Sequence, residues 1–173
     1  MYRRTLTTGF LTAALAVLAR PPMAATEDTE DNASCVIMTI TYDMPRDDQT
    51  GAITLTEHQI RDLPRLTFNT TTIWTSGVQK FTGVPLKALL DHYGLEGREI
   101  VLSAANDYRI TIPMNEIRPD APMIAYERND KPMSLRDYGP LWLVYNYDGS
   151  ASNRTQTVFS RSIWQLDHIT IKR

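Results

Sequence analysis

The sequence predicts one α+β domain with a mostly β core. Three observations carry this prediction. β-branched and alternating apolar runs recur along the chain, helical patterns are few and short, and no repeat of roughly 20–50 residues is present. The 173 residues include 42% hydrophobic and 22% charged side chains, the proportions of an ordinary globular chain. No linker or compositional shift divides residues 26–173, which read as a single domain.

The elements follow in order. Residues 26–34 are acidic and polar and read as a loose arm. Residues 36–42 are β-branched and apolar, a first strand. Residues 45–51 are turn-rich, and 53–55 suit a short strand. Thr56 has the chemistry of an N-cap for a short helix over 57–63, stopped by Pro64. Residues 65–73 favour a strand through Leu66, Phe68 and Thr70-Thr71-Thr72. Ser76-Gly77 marks a turn. The clearest helix spans 85–93: Pro85 suits its first turn, Leu86, Leu89 and Leu90 share a face, and Gly94 ends it. Strands over 99–104 and 109–112 flank a turn at Asn106-Asp107. A short helix over 114–117, strands over 123–127 and 141–145, a mixed stretch over 160–166 and a strand over 168–172 complete the chain. Cys35 is expected to be a small buried residue on the first strand.

Composition also excludes functions. With 18 basic against 20 acidic residues, the chain lacks the basic surface that nucleic acid requires. A single cysteine rules out an internal disulfide, a CxxC redox pair and a thiolate zinc site. The three histidines, His58, His92 and His168, are widely spaced and form no metal-binding motif. No GxSxG, phosphate-cradling glycine loop or helically spaced glutamate pair occurs.

Residues 1–25 read as a secretory signal rather than as part of the domain. Arg3 and Arg4 precede an uncharged apolar run over 9–19, and Ala24 and Ala25 supply a small-residue exit. That run is too short to cross a bilayer, which takes roughly 20 residues. Cleavage after Ala25 leaves 15 basic and 20 acidic residues on 26–173, with no membrane span in the mature chain. The expected location is the periplasm. Tyr2-Arg3-Arg4-Thr5-Leu6-Thr7 partly matches a twin-arginine signal, while arginine pairs also occur in ordinary export signals.

Candidate chemistry gathers at strand ends and turns: Thr72-Ile73-Trp74, Asn106-Asp107-Tyr108, Arg136-Asp137-Tyr138 and Ser160-Arg161-Ser162. Asn, Asp, Arg and Trp together suit a flat heterocycle with an amide edge, because carboxylates and amides pair with such an edge and an indole stacks on the ring. The plainer reading makes Asn106 and Asp107 turn formers, Arg136 and Asp137 a solvated pair, and the three tryptophans core residues.

Trp74, Gly77, Phe81, Gly83-Val84-Pro85-Leu86 and Leu89-Leu90 form the pattern W-x-x-G-x-x-x-F-x-G-V-P-L-x-x-L-L, which resembles the sulfite-oxidase-like molybdopterin-binding domains. The resemblance continues through Ala104-Ala105-Asn106-Asp107-Tyr108, Ile112-Pro113, Met133 to Asp137, Gly139-Pro140-Leu141-Trp142 and Trp164-Gln165-Leu166, and covers about residues 53–173. It implies a mixed, barrel-like β fold with a pterin pocket at one end. Catalytic members place a molybdenum-binding cysteine just upstream of the matched tryptophan; here residues 68–73 hold threonines and no cysteine. A threonine hydroxyl does not replace a soft thiolate.

The stand-alone exported form is similar to periplasmic pterin-binding proteins, which bind a reduced pterin without molybdenum and act on the periplasmic domain of a membrane cyclic-di-GMP enzyme. That resemblance implies a non-enzymatic pterin sensor with no metal site. The alternatives are a molybdenum-cofactor oxidoreductase or a subunit of one, and a structural domain that has lost its ligand. The residues expected to converge on the pterin are Thr72, Trp74, Asn106, Asp107, Tyr108 and Arg161. Asp107 would accept from the amino-pyrimidine edge and Asn106 would meet neighbouring ring atoms. Trp74 or Tyr108 would cover a ring face. Arg161 would bind a side-chain oxygen or a phosphate.

Overall fold

The computed structural model describes residues 35–43 and 50–173. The predicted signal over 1–25 and the acidic arm over 26–34 lie outside the described residues, as does most of the turn over 45–51.

Among the described residues, ten strands form two five-stranded sheets. The first sheet has the order β2-β1-β10-β5-β6. Its members are β1 (Val36–Asp43), β2 (Thr50–Thr56), β5 (Glu99–Ala104), β6 (Arg109–Pro113) and β10 (Leu166–Lys172). Only β1 and β10 run parallel; the other pairs are antiparallel. The period of two sends Met38 and Ile40, Ile100 and Leu102, and Ile110 and Ile112 to one face. On β10 a register shift between Leu166 and His168 brings Leu166 to the same face as Ile169 and Ile171.

The second sheet runs β3-β4-β7-β8, with β9 also pairing β7. It comprises β3 (Leu66–Thr71), β4 (Val78–Pro85), β7 (Met123–Arg128), β8 (Lys131–Pro132) and β9 (Trp142–Val144). β7 is buried on both faces, which explains its continuous apolar run. Ile124 and Tyr126 join the main core, while Met123 and Ala125 join a second cluster with Phe81, Met133, Trp142 and Val144. The barrel-like arrangement implied by the resemblance is therefore realised as two sheets.

Three short helices among the described residues bridge the layers: α1 (Glu57–Arg61), α2 (Leu86–His92) and α3 (Gln156–Arg161). Thr56 caps α1 through a reciprocal capping box with Gln59. On α2, Leu86, Leu89 and Leu90 are buried against the main core, and Gly94, at φ +62°, follows its end. The short helix expected over 114–117 is a single 3-10 turn, Met114–Glu116.

One expectation needs correction, and two segments carried no expected element. Cys35 is exposed and precedes β1 rather than lying buried within it, because inward alternation begins only at Met38. The stretch after Gly77 is a strand, β4, held between β3 and β7. Residues 156–161, for which no element was predicted, form α3, capped by the Thr155 hydroxyl, which accepts from the Val158 N–H.

Candidate functional site

A cavity of about 380 Å³ opens where the C-terminal end of β5 meets α3 and the loop after β3. Small-molecule sites fall at roughly 300–1,000 Å³. The loop after β3 contributes Trp74, and the β5–β6 turn contributes Asn106 and Tyr108. The end of α3 and its exit supply Phe159, Ser160, Ser162 and Trp164. No carboxylate, amine or guanidinium is among the lining residues. The chemistry of the walls is aromatic faces with a few amide and hydroxyl groups, which suits a flat neutral heterocycle.

Trp74 is half-buried at the centre of an aromatic group. Its ring centroid lies 5.8 Å from Trp142, 5.9 Å from Trp164, 6.0 Å from Phe159 and 6.2 Å from Tyr147, all edge-to-face. Tyr108 is half-exposed and its phenol donates to the Ser160 carbonyl at 3.2 Å, tying the β5–β6 turn to α3. Deeper, the Tyr147 phenol donates to the Ser162 hydroxyl at 2.6 Å and the Trp142 indole donates to the Ser162 carbonyl at 3.3 Å. Burial pushes the Tyr147 phenol well above its ordinary range, so it remains a donor.

Of the six residues expected to converge, the structure brings Trp74, Asn106 and Tyr108 to this cavity and leaves Thr72, Asp107 and Arg161 outside its lining. Thr72 acts on its own loop. Its hydroxyl accepts from the N–H groups of Trp74 at 3.1 Å and Thr75 at 3.0 Å, which folds the segment that presents Trp74. It lines a neighbouring cavity of about 330 Å³ with Tyr147, Arg154 and Phe159. Asp107 occupies the left-handed region at φ 65°, and its side chain is 93% exposed, 3.7 Å from Arg109. Asn106 shapes the same turn, its Oδ1 accepting from the Tyr108 N–H at 3.2 Å. Arg161 bonds to Glu116 at 2.5 Å, beside a separate cavity of about 360 Å³ that also includes Tyr145. Hydrogen bonding from Arg161 holds the Glu116 carboxyl below its ordinary range. Burial pushes Tyr145 up to about 12.

Adjacent residues on a helix leave it in different directions, so Ser160 reaches the cavity while Arg161 does not. Phe159, Ser160, Ser162 and Trp164 were not picked out as site residues. The available signal was Thr155, a capping residue in front of a possible helix. The geometry of the β5–β6 turn sets an expected order of effects. Asn106→Ala should weaken ligand binding roughly 3–10-fold by removing a hydrogen-bonding group, while Asp107→Ala should leave it unchanged. Titration of a reduced pterin into both variants checks this. The opposite order of effects would return the binding edge to Asp107.

The threonines upstream of Trp74 bear on a metal. Thr70 is fully buried, and its hydroxyl accepts from the Asp148 N–H at 3.0 Å. The Thr71 N–H and hydroxyl both donate to the Asp148 carboxylate, at 2.5 and 2.8 Å, and Arg154 also bonds to it. The Thr71 N–H, then its hydroxyl, hold the Asp148 carboxyl below the usual carboxylate range. With Thr72 bonded to its own loop, all three hydroxyls have structural roles. None supplies the thiolate that a sulfite-oxidase-type molybdenum centre needs. The cavity walls also lack a cation for the phosphate of the full cofactor. Among the described residues, no group of three or more His, Cys, Asp or Glu is arranged to hold a metal. The residues just upstream of Trp74 therefore offer no thiolate to a metal-bearing cofactor, while the aromatic walls suit a flat ring.

The family model described as the oxidoreductase molybdopterin binding domain matches residues 44–150, more than half of the chain. Among solved structures, the sulfane dehydrogenase SoxCD from Paracoccus pantotrophus is similar, with a TM-score of 0.53 and 16% identity. The match covers 78% of this chain and 38% of that one, and at that identity it shows the fold alone. No curated protein matches this chain.

Proposed function

The chain belongs to the family of oxidoreductase molybdopterin-binding domains, with a mostly β, sulfite-oxidase-like fold, and from that premise we propose that it is an exported binder of a reduced pterin rather than a molybdenum enzyme. The observation that carries this reading is the division of labour between Trp74 and the residues before it. The aromatic cavity around Trp74 suits the bicyclic ring, while the hydroxyls of Thr70, Thr71 and Thr72 are bound into the fold where a thiolate would be needed. Residues 1–25, with their paired arginines and short apolar run, support export to the periplasm. On this reading the protein senses or carries the pterin, and the proposed partner is the periplasmic domain of a membrane cyclic-di-GMP enzyme.

Protein purified from the periplasm is expected to release a fluorescent pterin on extraction and to carry no stoichiometric molybdenum. Elemental analysis and chromatography of the extract measure both. About one molybdenum per chain, with sulfite or sulfoxide turnover, would establish the oxidoreductase reading instead.

A further inference from the structure

We infer that Tyr138, which does not line the cavity, is the positioning residue that sets the two tryptophan walls of the pterin site. The inference rests on the pterin reading for its ligand and on independent geometry for its mechanism. Tyr138 has φ 70°, a left-handed conformation that a bulky side chain rarely adopts, at the end of the 3-10 turn Leu135–Asp137. Its ring stacks on Trp142 at 4.6 Å and 26°, and meets Trp164 edge-on at 5.6 Å. Its phenol donates to the backbone carbonyl of Trp74 at 3.1 Å. One side chain thus touches all three tryptophans of the protein, of which Trp74 and Trp164 form cavity walls.

The surrounding bonds extend the same clamp. The Tyr138 carbonyl accepts from the Gln165 N–H at 3.3 Å, and the Gln165 side chain donates to the Leu135 carbonyl at 2.8 Å. The Gln165 carbonyl in turn accepts from the Ala105 N–H at 3.0 Å, in the turn that carries Asn106 and Tyr108. The loop of Trp74, the segment of Trp164 and the β5–β6 turn are therefore all tied to the turn that ends in Tyr138. Arg128 supports the ring itself. Its guanidinium carbon lies 5.7 Å from the Tyr138 ring centroid and its Nη2 bonds to Asp137 at 2.6 Å. Its Nη1 is buried with no hydrogen-bond partner.

Tyr138→Phe separates the two roles because it retains the stacked ring and removes only the bond to Trp74. In protein labelled with fluorotryptophan, fluorine NMR should show the Trp74 resonance shifted or broadened, with the Trp142 and Trp164 resonances, both held by the retained ring, in place. Affinity for a reduced methylpterin should fall roughly 3–10-fold, with little change in thermal midpoint. A merely structural role would lower the midpoint and move all three resonances together. An unchanged Trp74 resonance, or a moved one with full affinity, would overturn the inference. If the wild-type protein does not bind the reduced methylpterin, the pterin reading falls, and the fluorine spectra alone decide the positioning role. Should Tyr138→Phe fail to fold, Arg128→Lys carries the test. It keeps a charge for Asp137 but removes the planar group beside Tyr138, and unchanged Trp74 and Trp164 resonances there overturn the inference equally.

Discussion

Gly83→Ala is expected to destabilise the protein by about 3–5 kcal/mol, above the roughly 1–3 kcal/mol typical of core overpacking, because the clash is with backbone. Gly83 lies in β4, paired with Leu66 of β3 and Ala125 of β7, next to the register shift between Thr82 and Gly83. A Cβ there would sit 2.1 Å from the Ile124 carbonyl oxygen and 2.6 Å from the Ala125 Cα. Both are backbone atoms of the neighbouring strand, so no rotamer change relieves the clash. Either β4 separates from β7 or the main core is pried open at Val84 and Ile124. For a chain of this size the thermal midpoint should fall by roughly 6–20 °C. Gly77→Ala is the contrasting change. No atom lies within 4 Å of its added Cβ, but φ +70° makes the conformation unfavourable for alanine. Its cost should stay near 1 kcal/mol. Calorimetry of the two variants checks the contrast, and a Gly83→Ala midpoint within about 2 °C of wild type would remove the close-approach argument.

The same glycine shows why part of the fold was legible in the sequence and part was not. Helix ends were readable because their signals are local: Thr56 caps α1, and Gly94 follows α2. Strands with one buried face were readable by alternation, as in Glu99–Ala104. β4 was not, because both its faces are covered, Val84 packing into the main core and Phe81 into the second cluster, so Phe81, Thr82, Gly83 and Val84 are buried in succession and the period of two is erased. α3 escaped for the opposite reason. Thr157 and Val158 lower helix propensity, and packing of Phe159 against Trp74 and Tyr147 overrides it. In the candidate site, aromatic residues beside turns were legible as a group. Which neighbour faces the cavity was not. A positive φ at Asp107 turns its carboxylate to solvent while Asn106 stays at the cavity, and helical rotation takes Arg161 to Glu116 while Ser160 lines the walls. Those choices depend on backbone angles that composition and spacing do not encode.

Trp74→Ala is expected to give the largest loss of ligand affinity of any single change in the cavity. Loss of an aromatic stacking partner costs about 1–3 kcal/mol, or roughly 5–150-fold in affinity. The side chain also contributes to the fold through its edge-to-face contacts with Trp142, Trp164, Phe159 and Tyr147. Its partial exposure places the stability cost at about 2–4 kcal/mol, below that of a fully buried tryptophan. The two effects separate when affinity is measured at a temperature where the variant remains folded. Trp74→Phe retains an aromatic face and should recover most of the binding, because a smaller ring still stacks while filling less of the cavity. Val36→Ala, on the exposed start of β1 in the other sheet, should change neither property. Titration of a reduced pterin, followed through tryptophan fluorescence or calorimetry, orders the variants. Wild-type affinity in a folded Trp74→Ala protein would show that the ligand sits elsewhere, since no ring bound in a cavity walled by Trp74 can lose that wall without loss of contact.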